Sequence, residues 1–190
     1  IATRPTHRRR GVLTAIMRRL QADARERGES VSILWAAESS IYGRFGYGVA
    51  IEECELTLER AHAALLPAPP PEGRLRQLTG AEAQEMIPAA YPRLAAGIPG
   101  ALLRTPADWR LYFHDPESWR DGASTHRYVA YERGGEVAGY VLYRQKEHWE
   151  QAHPRNEVRI GDLQAADGEA YRALWAYCLG IDLVATVDRK

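Results

Sequence analysis

Four prolines fall within Leu66-Pro67-Ala68-Pro69-Pro70-Pro71-Glu72-Gly73, and no other stretch constrains the fold as much. Proline has no N–H to donate and a fixed φ, so neither a helix interior nor a central strand can run through this segment. It reads as a stiff, extended spacer, and strands and helices must be sorted to either side of it. At 190 residues the chain is one large domain or two small ones on length alone. The spacer favours two, with residues 1–60 ahead of it, 61–73 as the linker and 74–190 after it.

Ahead of the spacer, Leu13, Ile16, Met17, Leu20 and Ala24 recur at helical spacing until Gly28 stops the run. Val31 to Trp35 has strand character, Ser39 or Ser40 can cap a helical turn ended by Gly46, and a second strand is expected from Tyr47 to about Leu58. The odd step between Ile51 and Cys54 in that strand predicts a bulge or twist.

Past the spacer, a short strand flanked by Leu75 and Leu78 precedes Thr79-Gly80-Ala81-Glu82, a capping-box pattern. Pro88 and Pro92 should kink or break the helix that it opens. Thr105-Pro106-Ala107-Asp108 caps another helix, and a hairpin turns at Gly134-Gly135. A strand over Val158 to Leu163, a helix capped by Asp167 and a strand from Leu183 to Val187 complete the chain. The fold class is α/β.

One pattern occurs twice. Strand, loop, helix, strand describes both Ile1 to Trp35 and Val158 to Val187. The first copy carries Arg8-Arg9-Arg10-Gly11-Val12-Leu13-Thr14 where its helix begins. A helix N-terminus presents unpaired N–H groups and partial positive charge, glycine admits close backbone approach, and arginines add charge-assisted hydrogen bonds. Two readings stand at this point: a pyrophosphate cradle, or the solvated basic start of a surface helix. In the second copy the loop is Gln164-Ala165-Ala166-Asp167-Gly168-Glu169, where phosphate would meet repulsion.

Composition excludes several classes. Twenty-five basic residues balance 25 acidic ones, unlike the clearly basic domains that coat nucleic acid. No apolar run approaches the ~18 residues of a membrane span, so no membrane partner is expected. Cys54 and Cys178 are isolated and suit a reducing compartment. His114, His126, His148 and His153 share no metal-ligand spacing, so no metal is expected. The chain opens at Ile1 and stops at a charged Val187-Asp188-Arg189-Lys190, which predicts a piece of a longer polypeptide.

Arg8 to Leu13 resembles the pyrophosphate loop of the GNAT N-acetyltransferases, and Ile41-Tyr42-Gly43-Arg44-Phe45-Gly46-Tyr47 resembles their short second signature helix. A helix and a strand separate the two, as in that family. The phrases Pro5 to Thr14 and Ile41 to Gly48, the Gly139-Tyr140 strand, Trp149 and the Gly180 to Val184 segment are similar to the enhanced-intracellular-survival acetyltransferases of actinobacteria.

The resemblance implies a GNAT-type mixed sheet with flanking helices, in two partial tandem GNAT domains. The first would be the C-terminal half of an active domain, the second the N-terminal part of a degenerate one. It further implies acetyl transfer from acetyl-CoA to a primary amine of a small molecule, aminoglycoside or lysine type, in the cytoplasm. A homo-oligomer is implied too, a hexamer in full-length family members. The backbone of Ile1, Ala2 and Thr3 would meet the pantetheine arm, and Arg8, Arg9, Arg10, Gly11, Val12, Leu13 and Thr14 would hold the pyrophosphate. Ala37 and Glu38 would lie beside the arm, Trp35 would wall the acceptor pocket, and Tyr42 would be the general acid. The family's base is its C-terminal carboxylate, which this chain is expected to stop short of. A non-catalytic CoA-binding or interaction piece is therefore the alternative.

Overall fold

The computed structural model describes residues 3–52 and 54–189, which form two compact units, Ile1–Glu52 and Glu53–Lys190. In the first unit a 3-10 turn, Pro5–His7, precedes helix α1, Val12–Glu26. Gly28 follows at φ +71, a left-handed position that suits a residue without Cβ. The one-turn helix α2, Ser39–Tyr42, runs into a 3-10 turn, Gly43–Phe45, closed by Gly46 at φ +87.

The strands expected at Val31–Trp35 and from Tyr47 onward do not form over most of that range. Residues 29–36 and 48–52 are extended or irregular and join no ladder. A strand's N–H and C=O groups need a neighbour's, and no described segment of this unit supplies one. Apart from half-buried Leu34, their large apolar side chains are left in solvent, from Ile33 at 57 % exposure to Trp35 at 84 %. The bulge expected between Ile51 and Cys54 involves Glu53, outside the described residues, as are Ile1 and Ala2.

Only the end of the second predicted strand pairs, as β1, Leu56–Glu59, and it does so in the second unit. That unit continues with β2, Arg74–Leu78, helix α3, Gly80–Ala95, and helix α4, Pro106–Phe113. Next come β3, Arg127–Arg133, β4, Glu136–Lys146, and a small hairpin of β5, Trp149–Glu150, with β6, His153–Pro154. Strand β7, Asn156–Ala165, helix α5, Gly168–Gly180, and β8, Val184–Arg189, close the order. The main sheet runs β1-β8-β7-β4-β3-β2 and is mixed: β7 and β8 are parallel, and the other neighbours antiparallel.

Both capping boxes expected from sequence form. Thr79 accepts from the Glu82 amide at 3.3 Å while Glu82 accepts from the Thr79 amide at 2.8 Å. Thr105 and Asp108 do the same for α4, and Asp167 caps α5 through the Ala170 amide. Of the kink or break expected at Pro88 and Pro92, the break does not occur: α3 is one helix through both prolines. An interior proline costs about 3 kcal/mol. Here Ala83, Ile87, Ala90, Tyr91, Leu94 and Ala95 are all buried along the helix, and that packing outweighs the lost backbone bonds.

Strand β4 is sandwiched between two cores. Ala138, Val141 and Tyr143 join the cluster under α5, whereas Val137, Tyr140 and Leu142 join the one under α3 and α4. The three-residue step from Val137 to Tyr140 reflects a register shift against β3, and a second shift in β7 skips Gly161. On the α4 side, the Arg104 guanidinium lies 4.3 Å from the Tyr91 ring, 4.8 Å from Trp109 and 4.6 Å from Tyr112. It also donates to Asp162 at 2.9 Å, and Tyr140 donates to the same oxygen.

Two outcomes follow from this packing. A Cβ at Gly139 would sit 2.9 Å from the Gln164 carbonyl oxygen and 3.1 Å from Leu174. Backbone cannot yield cheaply there, so Gly139→Ala should lower stability by about 1–3 kcal/mol in chemical denaturation. Asp115 accepts from the His126 amide at 2.9 Å, Arg144 at 2.7 Å and Arg120 at 3.0 Å. Burial alone would raise this carboxyl, but those donors outweigh it and hold it well below the usual range. Its stabilisation is therefore complete above the ordinary carboxylate pKa of about 3.9 and is lost as pH falls through the lower folded value. Asp115→Asn should show a shallower loss of unfolding midpoint on acidification than the parent.

Candidate functional site

Helix α1 starts without a side-chain cap. Its N-cap is Gly11, in the left-handed region at φ +76, and the first turn contains no acid. The first intrahelical bond is Ala15 N–H to the Gly11 carbonyl at 3.0 Å. The amides of Val12, Leu13 and Thr14 precede it and are the orphan donors that every helix start presents. No atom lies within 4 Å of the Cβ position at Gly11, so the need for glycine is backbone conformation rather than crowding. Arg9 also takes positive φ, +60, which is uncommon for a residue with a side chain. Arg8, Arg9 and Arg10 are exposed, and among the described residues none of them pairs with a carboxylate. Three cations, a left-handed glycine and free amides thus share one helix entrance.

The expected repeat forms only over Val158 to Val187, since Val31–Trp35 joins no sheet, and the helix start there is wired in the opposite sense. At the start of α5, Asp167 caps the helix and is bound by Arg133, which also lies 3.3 Å from Glu169. Glu169 accepts from the Tyr131 hydroxyl and, at 3.2 Å, from the Glu72 amide. The protein's own carboxylates take the electrostatic place that a phosphate would need, which accounts physically for the acids seen in that loop.

Tyr42 ends α2, half-buried, with its ring 6.3 Å from that of Tyr47 in an edge-on arrangement. The Tyr47 hydroxyl is 2.7 Å from Ser32 Oγ, and the Tyr42 carbonyl accepts from the Tyr47 amide at 3.4 Å. Glu38 is the N-cap residue of the same helical turn, and Ala37 directly precedes it; both are exposed. Trp35 is 84 % exposed and Thr3 is half-buried in an irregular segment. The positively charged helix entrance and the Tyr42 turn therefore belong to one compact unit.

Sequence reading overlooked Gln21. Its amide donates to the Phe45 carbonyl at 2.6 Å, tying α1 to the turn that follows Tyr42. The signal was present: Gln21 falls four residues after buried Met17, on the half-apolar stripe of α1, where a polar residue needs a partner.

Two acetyltransferase (GNAT) domain families match the sequence, one over residues 1–50 and one over residues 100–190. An uncharacterized N-acetyltransferase of Streptomyces avermitilis is 41 % identical over 191 residues, covering 100 % of this chain and 47 % of that protein. The N-acetyltransferase Eis of Mycobacterium tuberculosis is 31 % identical, covering 99 % of this chain and 45 % of its own length. The crystal structure of Eis1 from Mycobacterium abscessus superposes with a TM-score of 0.73 at 33 % identity, over 100 % of this chain and 46 % of that one. This chain thus spans just under half the length of the curated relatives it matches. On these matches and on its mixed sheet with flanking helices, the chain belongs to the GNAT acetyltransferase family.

Proposed function

We propose that the protein transfers an acetyl group from acetyl-CoA to a primary amine, with the first unit holding the co-substrate. The observation that carries this reading is the contrast between the helix starts of α1 and α5. One has three unpaired arginines and an uncapped first turn, and the other is closed by Asp167 and Glu169. An anion as highly charged as a pyrophosphate is stabilised at the first and repelled at the second.

In this reading Arg8 to Thr14 hold the pyrophosphate, chiefly through backbone N–H groups. Ile1, Ala2 and Thr3 meet the pantetheine arm, and Ala37 and Glu38 lie beside it. The first unit contributes the working GNAT half; the boundary expected at residue 60 moves back to residue 52 because β1 pairs with β8, and the second unit, with the 61–73 spacer and residues 74–190, no longer takes the co-substrate. Acetyl-CoA supplies the activated acyl group as a thioester. The neutral amine nitrogen forms the new C–N bond as the C–S bond breaks, and its surplus proton passes to solvent. The Tyr42 phenol donates its proton to the departing thiolate and is reprotonated from solvent. Trp35 contributes to the acceptor side, and aminoglycoside or lysine-type amines are the acceptor class. Such an enzyme works in the cytoplasm, where acetyl-CoA is available, and as a homo-oligomer.

Calorimetry with acetyl-CoA tests the grip: Arg9→Glu should weaken binding by at least about tenfold, the loss of one charge-assisted contact. Undiminished binding in that variant would remove the cradle. Tyr42→Phe should keep the parent's acetyl-CoA affinity and slow amine acetylation by ~10²–10⁴. Equal turnover by mutant and parent would sink the general-acid role.

A further inference from the structure

A second site lies wholly in the second unit. A cleft of about 400 Å³ opens on the sheet face that also carries α3 and α4, beyond those helices. Its floor is Leu142 on β4, Gly161 on β7 and Asp188 on β8, and its far wall is the segment that carries Trp119 and His126. The β7 register shift at Gly161 shapes the floor, and a Cβ there would come 2.9 Å from the Leu142 side chain. The cleft is thus a consequence of the fold rather than a surface irregularity.

The charges around it are nearly all engaged. Arg120 and Arg144 both bind Asp115. Arg159 is held by Glu157 at 2.8 Å and by Asp121 at 3.1 Å, and Lys146 also contacts Asp121. No arginine in the cleft is left to attract an anion. Asp188 differs. It is the register neighbour of Arg159, yet that guanidinium is committed elsewhere, and Asp188 Oδ1 is buried with no hydrogen-bond partner among the described residues. His126 Nδ1 is likewise buried and unpartnered, 3.9 Å from Asp115, too far for a hydrogen bond. Burial, reinforced by the nearby Arg144 cation, lowers the affinity of this ring for a proton and so disfavours a further positive charge at the cleft. Trp119 is 57 % exposed at the rim, offering an indole face.

We infer that this cleft binds a small organic ammonium, with the Asp188 carboxylate as counter-ion and the Trp119 indole against the cation. A carboxylate with an unmet acceptor, beside an aromatic wall, suits a cation and disfavours an anion or an uncharged ligand. The site stands on the second unit alone and is independent of the acetyl-transfer reading for the first. It assigns that unit a ligand-binding role at a place where its own helix start is closed to phosphate.

Calorimetric titration of the chain with putrescine tests this, with succinate and an uncharged diol of equal length as controls. Putrescine should bind, and the controls should not. Asp188→Asn should weaken uptake by at least about tenfold, the loss of a hydrogen bond to a charged group. Trp119→Ala, at the exposed rim and harmless to the sheet, should weaken it several-fold with an unchanged unfolding temperature. Arg9→Glu, in the other unit, should bind putrescine as the parent does. A cleft that takes up no putrescine holds water only, and that result overturns the assignment. So does succinate binding as well as putrescine, or putrescine binding equally to the parent and both cleft variants.

Discussion

Strand β4 is the element on which the second unit rests. Like β3, it feeds both hydrophobic clusters with alternate residues, and it pairs along its length with β3 on one side and β7 on the other. Such a strand has no solvent face, so each irregularity in its neighbours must be absorbed by packing. One register shift beside Gly139 lets Val137 and Tyr140 share a face, and the shift at Gly161 does the equivalent for Ile160 and Leu163. Gly139 is confined because α5 and the β7 backbone close over it, and Gly161 because Leu142 does. The Arg104–Asp162 pair, framed by three aromatic rings, then ties α3 and α4 to β4 and β7.

The two helix starts at α1 and α5 are opposite in electrostatics. At α1 the charge is basic and unpaired, and the backbone is held open by Gly11. At α5 the same place is neutralised by a network that joins Asp167, Glu169, Arg133, Tyr131 and the Glu72 amide. The network also anchors the end of the Pro-rich spacer. The α5 helix start is thus a structural junction whose positive end is met by the protein's own carboxylates. Gly73 shows how closely that junction is packed, because a side chain there would collide with Tyr131 and the Glu132 carbonyl.

Much of this was legible before any coordinates. The capping boxes at Thr79 and Thr105, the Gly134-Gly135 hairpin and the Asp167 cap all appear where local residue chemistry placed them. These are short-range features, decided by side chains within three or four residues of the backbone groups they serve. The GNAT resemblance of Arg8 to Leu13 and of Ile41 to Tyr47 was legible for the same reason, since both segments are contiguous. Where local propensity misled, tertiary context was the cause. Pro88 and Pro92 did not end α3, because its buried face outweighs two missing backbone bonds. Val31 to Trp35 has strand composition but no described partner in its unit, so it stays irregular and exposed.

The sequence by itself determined the α/β class, the positions of the caps and turns, and the opposite charge of the two helix starts. Each of these depends on neighbours along the chain. Tertiary structure alone decided that Leu56–Glu59 joins β8, that Gln21 reaches the Phe45 carbonyl, and that Asp188, His126 and Trp119 meet around one cleft. Asp188 is separated from the Trp119–His126 segment by scores of positions, and the three residues share no motif. Their meeting depends on strand order, on the bulge at Gly161, and on which arginines other carboxylates have already claimed. Such facts concern pairing across space, and no local pattern encodes them.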